Sequence, residues 1–151
     1  MVCVVQITGL KDVGKTALAE RLIAEAKARG LRILAVKESH HVPDVPDKDS
    51  YRMRGAGADY VLLHGGGLWA LCSSALPDVP LEVDVAIVEG FKGFKLGYKV
   101  HIGPEPPADA DEALSLEEAL GRARGILAKA KCGIGAGELL RALRAAAAAK
   151  R

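Results

Sequence analysis

A chain of 151 residues, of which 50% are hydrophobic and 26% are charged, has the composition of a globular domain and not of a disordered segment. Its formal net charge is only +2, and its Lys and Arg residues form no basic cluster, so we expect no nucleic-acid partner. No run approaches the roughly 18 apolar residues of a membrane span, and the apolar start lacks the basic segment and cleavage site of a signal peptide. We therefore expect a soluble protein with no membrane partner.

The three cysteines, Cys3, Cys72 and Cys132, are far apart in the sequence and odd in number. That spacing argues against a disulfide framework and against a metal site built from paired cysteines. We accordingly expect a cytoplasmic protein in a reducing environment.

The start of the chain predicts a strand, a helix and a second strand. Residues 2–8 form a near-continuous, β-branched apolar run, typical of a strand buried on both faces of a parallel sheet. From Thr16 onward, apolar residues recur at helical spacing until Gly30 ends the pattern, and residues 31–36 form a second short apolar run. A strand–helix–strand unit of this kind predicts an α/β fold with a right-handed crossover.

The middle of the chain predicts a loop, a short helix and a hairpin. Residues 40–49 hold two prolines and several charges, which favours a loop. Residues 50–57 are expected to form a short helix with Ser50 as its N-cap. Two apolar runs, 59–63 and 68–72, flank a glycine-rich turn and predict a β-hairpin.

The tail is predicted to be helical beyond a linker. Residues 103–114 are rich in proline and acidic residues, which favours a surface linker. Residues 115–131 have the apolar periodicity of one amphipathic helix. The glycine-spaced residues 132–137 are expected to be a second linker, and residues 138–150 an alanine-rich final helix.

Residues 9–16, Gly-Leu-Lys-Asp-Val-Gly-Lys-Thr, match the phosphate-binding pattern G-x-x-x-x-G-K-[ST] between a predicted strand and a predicted helix. Glycines let the backbone wrap around phosphates, and the N–H groups at a helix N-terminus favour anions. Lys15 is predicted to reach the β- and γ-phosphates, and the Thr16 hydroxyl to bind Mg²⁺. The predicted nucleotide contacts in this loop are Gly9, Lys11, Asp12, Val13, Gly14, Lys15, Thr16 and Ala17.

Two charged residues of the loop raise particular expectations. Lys11, at the third loop position, resembles the lysine of the deviant phosphate loop of dimeric P-loop ATPases and GTPases, which reaches the partner subunit's nucleotide. The alternative is a solvated loop lysine, so a trans-acting role for Lys11 is a hypothesis. An acidic Asp12 is unfavourable beside a triphosphate unless its side chain turns outward.

Two further segments, the largely apolar 83–88 and residues 98–102, predict strands, and the first of them is followed directly by Glu89. Because ligands of parallel sheets lie beyond the carboxyl ends of the strands, Glu89 is placed for the phosphates, whereas Asp84 lies at the opposite end. We predict that Glu89 holds Mg²⁺ or orients a nucleophilic water, with a capping or salt-bridging glutamate as the alternative.

Together these elements predict one P-loop NTPase-like α/β domain over residues 1–151. Its sheet is expected to be mostly parallel and flanked by helices, with the β-hairpin as an insertion. Residues 103–114 are expected to link this core to C-terminal helices within residues 115–151.

Two charged clusters also follow predicted strands. Residues 37–54 supply many charged side chains, which are candidates for a metal ligand, a switch-like loop or contacts to a second anionic ligand. Within them, adjacent His40 and His41 give only weak support for a transition metal. Lys92 and Lys95 are candidates for phosphate contacts, with a charged surface loop as the alternative.

Several distinctive segments occur together in residues 1–102. They are the phosphate loop, Lys37 with His40-His41, Lys-Asp-Ser-Tyr-x-x-Arg-x-Ala-Gly-Ala at 48–58, and Val-Glu-Gly-Phe-Lys at 88–92. This combination resembles the MobB family of molybdopterin-guanine dinucleotide biosynthesis adaptor proteins. The last two segments are much more specific than the phosphate loop, which many unrelated proteins share.

The resemblance implies a homodimeric GTP-binding protein with weak GTPase activity, which uses Mg²⁺ and assists the guanylyltransferase that joins GMP to molybdopterin. Molybdopterin or its guanine dinucleotide is implied as a further ligand. By position, Asp49 and Glu89 would lie near Mg²⁺ and serve catalysis with Lys15, while Arg54 and Lys92 would face phosphates of the nucleotide or the pterin. Asp12-Val13 and Glu38 depart from the family pattern.

Two other functions remain open from the residues alone, namely a small-molecule kinase of the P-loop class and a metallochaperone GTPase. The usual guanine-reading pattern [NT]-K-x-D does not occur, so GTP rests on the resemblance. The single glutamine, Gln6, lies inside the first predicted strand and is not placed to orient water. Slow intrinsic turnover is therefore predicted.

Overall fold

The structure is a computed structural model that describes residues 1–150. These residues fall into two compact units, one formed by residues 1–38 with the chain from residue 79 onward, the other by residues 39–78. None of the helices in residues 1–150 is long and apolar enough to cross a membrane. In chain order the elements are β1 (Val2–Gly9), α1 (Lys15–Ala28), β2 (Ile33–Lys37), α2 (Asp49–Gly55), β3 (Tyr60–Gly65), β4 (Leu68–Ser73), β5 (Val85–Glu89), β6 (Tyr98–Ile102), β7 (Glu112–Leu114), α3 (Leu116–Gly121), α4 (Ala123–Ala128), β8 (Lys131–Ile134) and α5 (Ala136–Ala148).

The first unit is built on a six-stranded sheet whose main path runs β2-β5-β1-β6-β7. All neighbours on this path are parallel, and β8 pairs antiparallel with the beginning of β1. The central strands are apolar because both faces of the sheet are covered, and every residue of β5 is buried. The predicted α/β class, with a mostly parallel sheet flanked by helices, is confirmed.

Two apolar clusters hold the sheet between its helices, because side chains alternate between the two faces of each strand. On one face, Val5 and Ile7 pack with α1, α3 and α4. On the other face, Val4 packs in a cluster with α5, whose buried leucines are Leu139, Leu140 and Leu143. Full burial of one such leucine contributes about 1.5–3 kcal/mol, so α5 is an integral part of this unit.

The second face of the sheet becomes polar toward the carboxyl ends of β1 and β6. Four polar side chains there are at most 1% exposed: Gln6, Thr8, Lys99 and His101. His101 Nδ1 accepts from the Thr8 hydroxyl (3.0 Å), and Nε2 donates to the carbonyl of Pro104 (3.1 Å), which can only accept. Lys99 Nζ pairs with Asp109 Oδ2 (2.7 Å). These pairings satisfy buried polar groups and fasten the segment that follows β6.

The second unit contains α2 and the hairpin β3–β4. The two strands pair antiparallel around Gly66 and Gly67, whose positive φ angles of 56° and 77° suit a two-residue hairpin turn, so the predicted hairpin is confirmed. The predicted cap of α2 is wrong. Lys48 occupies the N-cap position, and Ser50 lies inside the helix because its hydroxyl donates instead to Asp44 Oδ1 (2.8 Å). The assignment of both units to one domain stays a prediction.

The tail differs from the predicted linkers and single helix. Residues 112–114 form β7 beside β6, and residues 132–134 belong to β8 beside β1. The amphipathic run 115–131 contains two helices, because Arg122 lies outside helical geometry at φ −105° and ψ 12°. The first of these helices begins in a capping box between Ser115 and Glu118. Only the final helix, α5, was predicted with nearly correct bounds.

Cys3 and Cys132 are joined by a disulfide, contrary to the expectation of unpaired thiols. The two residues are 129 positions apart in sequence, yet the register of β1 and β8 places them directly opposite each other. The expectation fails because it rested on sequence spacing, which carries no information about this antiparallel pairing. Cys72 is the free cysteine of the described residues.

Candidate nucleotide-binding site

The predicted phosphate loop joins β1 to α1 at the carboxyl edge of the sheet. β1 ends at Gly9, α1 begins at Lys15, and Gly14 is the N-cap of the helix, with a φ of 94°. A Cβ on Gly14 would lie 2.4 Å from Leu116 Cδ2, so the side chain of Leu116 would have to shift to admit one. The close approach of Leu116 and the left-handed backbone therefore both favour glycine at this position.

The remaining loop residues divide into packed and exposed ones. Val13 is half-buried and packs against the apolar cluster on the α1 side of the sheet. Asp12 is exposed and has a positive φ of 60°, a conformation that aspartate adopts more readily than most residues. Lys11 and Ala17 are also exposed. The acidic side chain is thus at the surface, as binding of a triphosphate by this loop requires.

Lys15 bends back over its own loop. Its Nζ donates to the carbonyl oxygens of Gly9 (3.0 Å) and Leu10 (2.6 Å). A phosphate oxygen is a stronger acceptor than a neutral carbonyl, because its hydrogen bond to an ammonium group is charge-assisted on both sides. The ammonium group is therefore positioned over the loop and held by partners that a phosphate can replace.

Three side chains from three elements meet beside the loop. The Thr16 hydroxyl donates to both carboxylate oxygens of Glu89, at 3.2 Å to Oε1 and 3.1 Å to Oε2. Lys37 Nζ lies 3.5 Å from Glu89 Oε1 and 3.4 Å from Thr16 Oγ1. Glu89 is only 8% exposed, so its charge is compensated by this ammonium group and hydroxyl.

The strand register explains why these side chains meet. Ile7 of β1 lies beside Glu89 of β5, which in turn lies beside Lys37 of β2. The carboxyl ends of three adjacent parallel strands therefore form one edge, and α1 begins at the same edge. Asp84 lies at the amino end of β5, where it pairs with Arg32, and this pairing lowers the pKa of Asp84.

The Thr16–Glu89 pair suits a magnesium ion bound with a nucleotide. Its donor atoms are one hydroxyl and one carboxylate, and Mg²⁺ prefers oxygen ligands and commonly takes one or two carboxylates together with substrate phosphates. Lys37 Nζ is the counter-cation of the Glu89 carboxylate in this structure. Within residues 1–150, no group of three or more His, Cys, Asp or Glu side chains is arranged to hold a metal ion by itself.

Two predicted site residues, Asp49 and Arg54, belong to the second unit. Asp49 lies in the first turn of α2, and Arg54 lies in the last turn. Arg54 Nε donates to Asp44 Oδ2 (2.8 Å), and Asp44 is buried. The hydrogen bonds from Ser50 and Arg54 lower the pKa of Asp44. The roles of Asp49 at Mg²⁺ and of Arg54 at a phosphate stay predictions.

The segment after Glu89 places Lys92 at the surface. Its side chain is exposed, while its backbone carbonyl accepts from the buried Lys99 Nζ (3.0 Å). Glu38 Oε1 accepts from the N–H of Phe91 (3.2 Å), and the C=O of Glu89 accepts from the N–H of Glu38 (2.9 Å). The chain segments that leave β2 and β5 are therefore fastened to each other. A phosphate contact of Lys92 stays a prediction.

Sequence reasoning missed two participants in this arrangement. Lys37 belongs to a charged cluster and to the family resemblance and has no predicted role, although its place at the end of β2 indicates the same edge as Glu89. Gln6 was set aside as a strand residue, yet it is fully buried and its amide contacts the segment after Glu89. A lone amide in an apolar strand is itself a signal, since a buried amide requires hydrogen-bond partners.

The model of the family named Molybdopterin guanine dinucleotide synthesis protein B, or MobB, matches residues 4–103, about two thirds of the chain. The chain belongs to the MobB family. The matched region contains most of β1 and all of β2 to β6, and with them the phosphate loop, Lys37 and Glu89. The resemblance expected from the sequence is thereby confirmed.

Curated relatives agree with this membership. A molybdopterin-guanine dinucleotide biosynthesis adapter protein of Haemophilus influenzae is 39% identical over 98 residues, 57% of this chain and 55% of that protein. Its counterpart of the same name in Escherichia coli K12 is 37% identical over 93 residues, covering 52% of this chain and 53% of that protein. The chain thus spans about half the length of the curated relatives that it matches.

Solved structures of MobB proteins share the fold. A crystal structure of Bacillus subtilis MobB has a TM-score of 0.59 and 23% identity, covering 87% of this chain and 99% of that chain. The MobB homolog of Bacillus stearothermophilus has a TM-score of 0.52 and 21% identity, covering 83% and 95%. At this identity the likeness supports the fold alone.

Proposed function

We propose that this MobB family member is a GTP-binding adaptor that uses Mg²⁺ and assists the enzyme that attaches GMP to molybdopterin. One observation carries the nucleotide part of the proposal. At the end of a complete phosphate loop, the Thr16 hydroxyl contacts the carboxylate of Glu89, and the two groups supply oxygen ligands for Mg²⁺. The adaptor role comes from the names of the relatives, whereas the guanylyltransferase partner is what the resemblance to the MobB family implies.

In this proposal the phosphate loop acts together with Glu89 of β5 and Lys37 of β2. The backbone N–H groups of residues 9–16 surround the β- and γ-phosphates, and Lys15 exchanges its two carbonyl partners for phosphate oxygens. Thr16 and Glu89 hold Mg²⁺, which adds neutralising charge at the phosphates. Lys37, which now pairs with the carboxylate of Glu89, would be available to contact a phosphate if an ion compensated that carboxylate.

Hydrolysis is proposed to be slow. A fast GTPase needs a side chain that orients the attacking water and a cation that stabilises the transition state. Gln6, the one glutamine of the chain, directs its amide to backbone groups of the segment after Glu89 and not to the phosphate loop. Rapid turnover by the purified protein alone would contradict this part of the proposal.

A homodimer is proposed as the working form. Among the side chains of the hairpin, Leu68 is 75% exposed and Trp69 is 67% exposed. Large exposed apolar side chains grouped on one element mark interaction surfaces. Leu68→Ser with Trp69→Ser should lower self-association in sedimentation experiments, whereas Val42→Ser, at an exposed loop residue, should not. A monomeric wild-type protein would refute the homodimer.

Calorimetric titration with non-hydrolysable analogues of GTP and ATP, each with and without Mg²⁺, tests the nucleotide assignment. Binding that depends on Mg²⁺ and prefers guanine supports the adaptor function. A preference for adenine would favour the kinase alternative and direct the search to a phosphoryl acceptor.

Two lysine variants test whether the loop is the binding site. Lys15→Ala removes the ammonium group over the loop and should abolish nucleotide binding. Lys27→Ala, in the last turn of the same helix, should bind as the wild type does. Equal affinity of the Lys15 variant would remove the central claim.

A further inference from the structure

The connection between β5 and β6 is unusually short for two parallel strands in one sheet. Residues 90–97 join strands that lie on opposite sides of β1, so this segment, here named the crossover segment, passes across the second face of the sheet. Parallel connections normally need a dozen or more residues and a helix that satisfies its own backbone. The crossover segment contains no helix, so its partly buried peptide groups need partners from elsewhere.

Gln6 supplies most of those partners from the centre of β1. Its Nε2 lies 3.0, 3.0 and 3.1 Å from three carbonyl oxygens, and its Oε1 accepts from the N–H of Leu96 (3.0 Å). The three carbonyls belong to Gly90, Phe91 and Phe94. Both ends of the amide are therefore used by one segment, and the side chain is fully buried. Aliphatic side chains of the same size offer none of these hydrogen bonds.

The contacts are concentrated immediately after Glu89. Gly90 is held at both ends of its backbone, since its N–H donates to the Ile7 carbonyl (2.9 Å) and its C=O accepts from Gln6. Phe91 has a φ of 55°, a left-handed conformation that is unfavourable for a side chain of its size. Such a conformation persists where the surroundings over-determine it. Here Gln6 holds the carbonyl of Phe91, and Glu38 holds its N–H.

We infer that Gln6 is a positioning residue of the metal–nucleotide site: by fixing the sharp turn after β5 it holds the Glu89 carboxylate against Thr16. The Gln6 amide contacts the crossover segment and not the phosphate loop, so it acts through Glu89. This inference rests on the proposed function, because it assigns Glu89 to the ion that accompanies the nucleotide. Without the amide, the turn relaxes from its left-handed geometry and the carboxylate loses its fixed place.

The test compares Gln6→Met with the wild type by titrating a GTP analogue with and without Mg²⁺. Methionine keeps the length and approximate volume of glutamine and removes both hydrogen-bonding ends. The enhancement of affinity by Mg²⁺ should fall by about tenfold, as is typical for the loss of groups that orient a metal ligand. Affinity without Mg²⁺ should stay within about twofold of the wild type, because the phosphate loop itself is unchanged.

A stability control separates a positioning effect of Gln6 on Mg²⁺ binding from the effect of a general loss of stability. Leu140→Ala truncates a buried side chain of the cluster on the same face of the sheet and should lower the melting temperature. It leaves every hydrogen bond of Gln6 in place and should keep the Mg²⁺ enhancement. Gln6→Asn, which retains the amide on a side chain one methylene shorter, serves if Gln6→Met does not fold, and should show the same selective loss.

The outcomes are distinct. If the wild type shows no Mg²⁺-dependent binding, the proposed function fails and this inference fails with it. If the wild type shows it and the Gln6 variant keeps the full enhancement, the inference alone is overturned. An equal loss in Gln6→Met and Leu140→Ala would also overturn it, because general loosening would then explain the effect.

Discussion

The hydroxyl of Thr16 donates to the carboxylate of Glu89 across 73 positions of sequence, with Oγ1 3.1 Å from Oε2. The first residue is the last of the phosphate loop and lies in the first turn of α1, and the second ends β5. In the proposed function both become ligands of one Mg²⁺ ion, so their contact marks the place of that ion. The carboxylate of Glu89 would then bind the ion in place of its present partners, the Thr16 hydroxyl hydrogen and the ammonium group of Lys37.

Glu89→Gln should weaken nucleotide binding in the presence of Mg²⁺ by about 10- to 100-fold, since a hydrogen bond or ligand contact to a charged group contributes about 1.5–3 kcal/mol. The amide oxygen of the glutamine still accepts a hydrogen bond from the Thr16 hydroxyl, but the side chain has no negative charge to attract the ion. Calorimetric titration without Mg²⁺ should give nearly the wild-type affinity. Glu82→Gln, at an exposed glutamate paired with Arg32, is the matched control and should bind normally. Equal Mg²⁺ dependence in both variants would contradict the assignment of Glu89.

Gly14→Ala should destabilise the fold as well as the binding loop. A side chain at φ 94° costs about 1–2 kcal/mol, and forcing a Cβ to within 2.4 Å of Leu116 adds about 1–3 kcal/mol of overpacking. Urea unfolding should therefore show a loss of about 2–5 kcal/mol in the free energy of unfolding.

The matched control for this change is Gly125→Ala. Gly125 lies inside α4, and a Cβ there meets no atom within 4 Å. Replacing a helical glycine by alanine should stabilise the protein by about 0.5–1 kcal/mol. A Gly14 variant as stable as the wild type would show that α3 does not approach the loop as described.

Reduction of the Cys3–Cys132 disulfide should lower the stability of the whole protein. The bond closes a loop of 129 positions, and the chain-entropy model gives up to about 5 kcal/mol for a loop of that length. Thermal unfolding with dithiothreitol, and of Cys132→Ser without it, should show the same decrease in melting temperature. Cys72→Ser removes the free thiol and should leave the melting temperature unchanged. Detection of three thiols in the unreduced, unfolded protein would contradict the bond.

Local pattern was enough to predict the elements that form the candidate nucleotide-binding site. The apolar run of β1, the loop pattern up to Thr16 and the helical period of α1 are contiguous in sequence, and the structure confirms all three elements. Glu89 was found because the run before it reads as a buried strand, whose carboxyl end is where ligands lie in parallel sheets. The contact itself, between β5 and α1, could then be expected.

The features that were missed depend on distant pairing. The strands β7 and β8 have only three and four residues, which is too short for a recognisable sequence pattern. They are strands because they pair with β6 and β1. Gln6 binds carbonyls about 85 positions away, and no local pattern in β1 indicates where that amide points. Ser50 has the residue type of an N-cap, but Asp44 competes for its hydroxyl. Distant partners decided the first two cases, and a carboxylate only six positions away decided the case of Ser50.

Asp44→Asn should destabilise the protein at neutral pH and have progressively less effect in acid. Asp44 accepts hydrogen bonds from the Ser50 hydroxyl and Arg54 Nε, which lower its pKa in the folded state. A carboxyl group with a lowered folded pKa favours folding above the pKa of the unfolded chain, about 3.9 for aspartate, and loses that contribution as pH falls through the folded value. The stability difference between wild type and Asp44→Asn should therefore be constant above about pH 5 and shrink below about pH 4.

Urea unfolding of both proteins from neutral pH down to about pH 3 measures this difference in the free energy of unfolding. The reference for the loss of one surface charge is Asp59→Asn, at an exposed aspartate of the same unit. The reference variant should differ little from the wild type at any pH, because an exposed carboxylate without close partners contributes little to stability. A difference for Asp44→Asn that grows in acid would mean that the ionised carboxylate opposes folding, and the Ser50–Asp44–Arg54 arrangement would then not stabilise the second unit. A constant difference over the whole range would mean that the amide loses packing or geometry and not charge. The predicted decline in acid identifies the ionised carboxylate as the group that holds α2 to the loop before it.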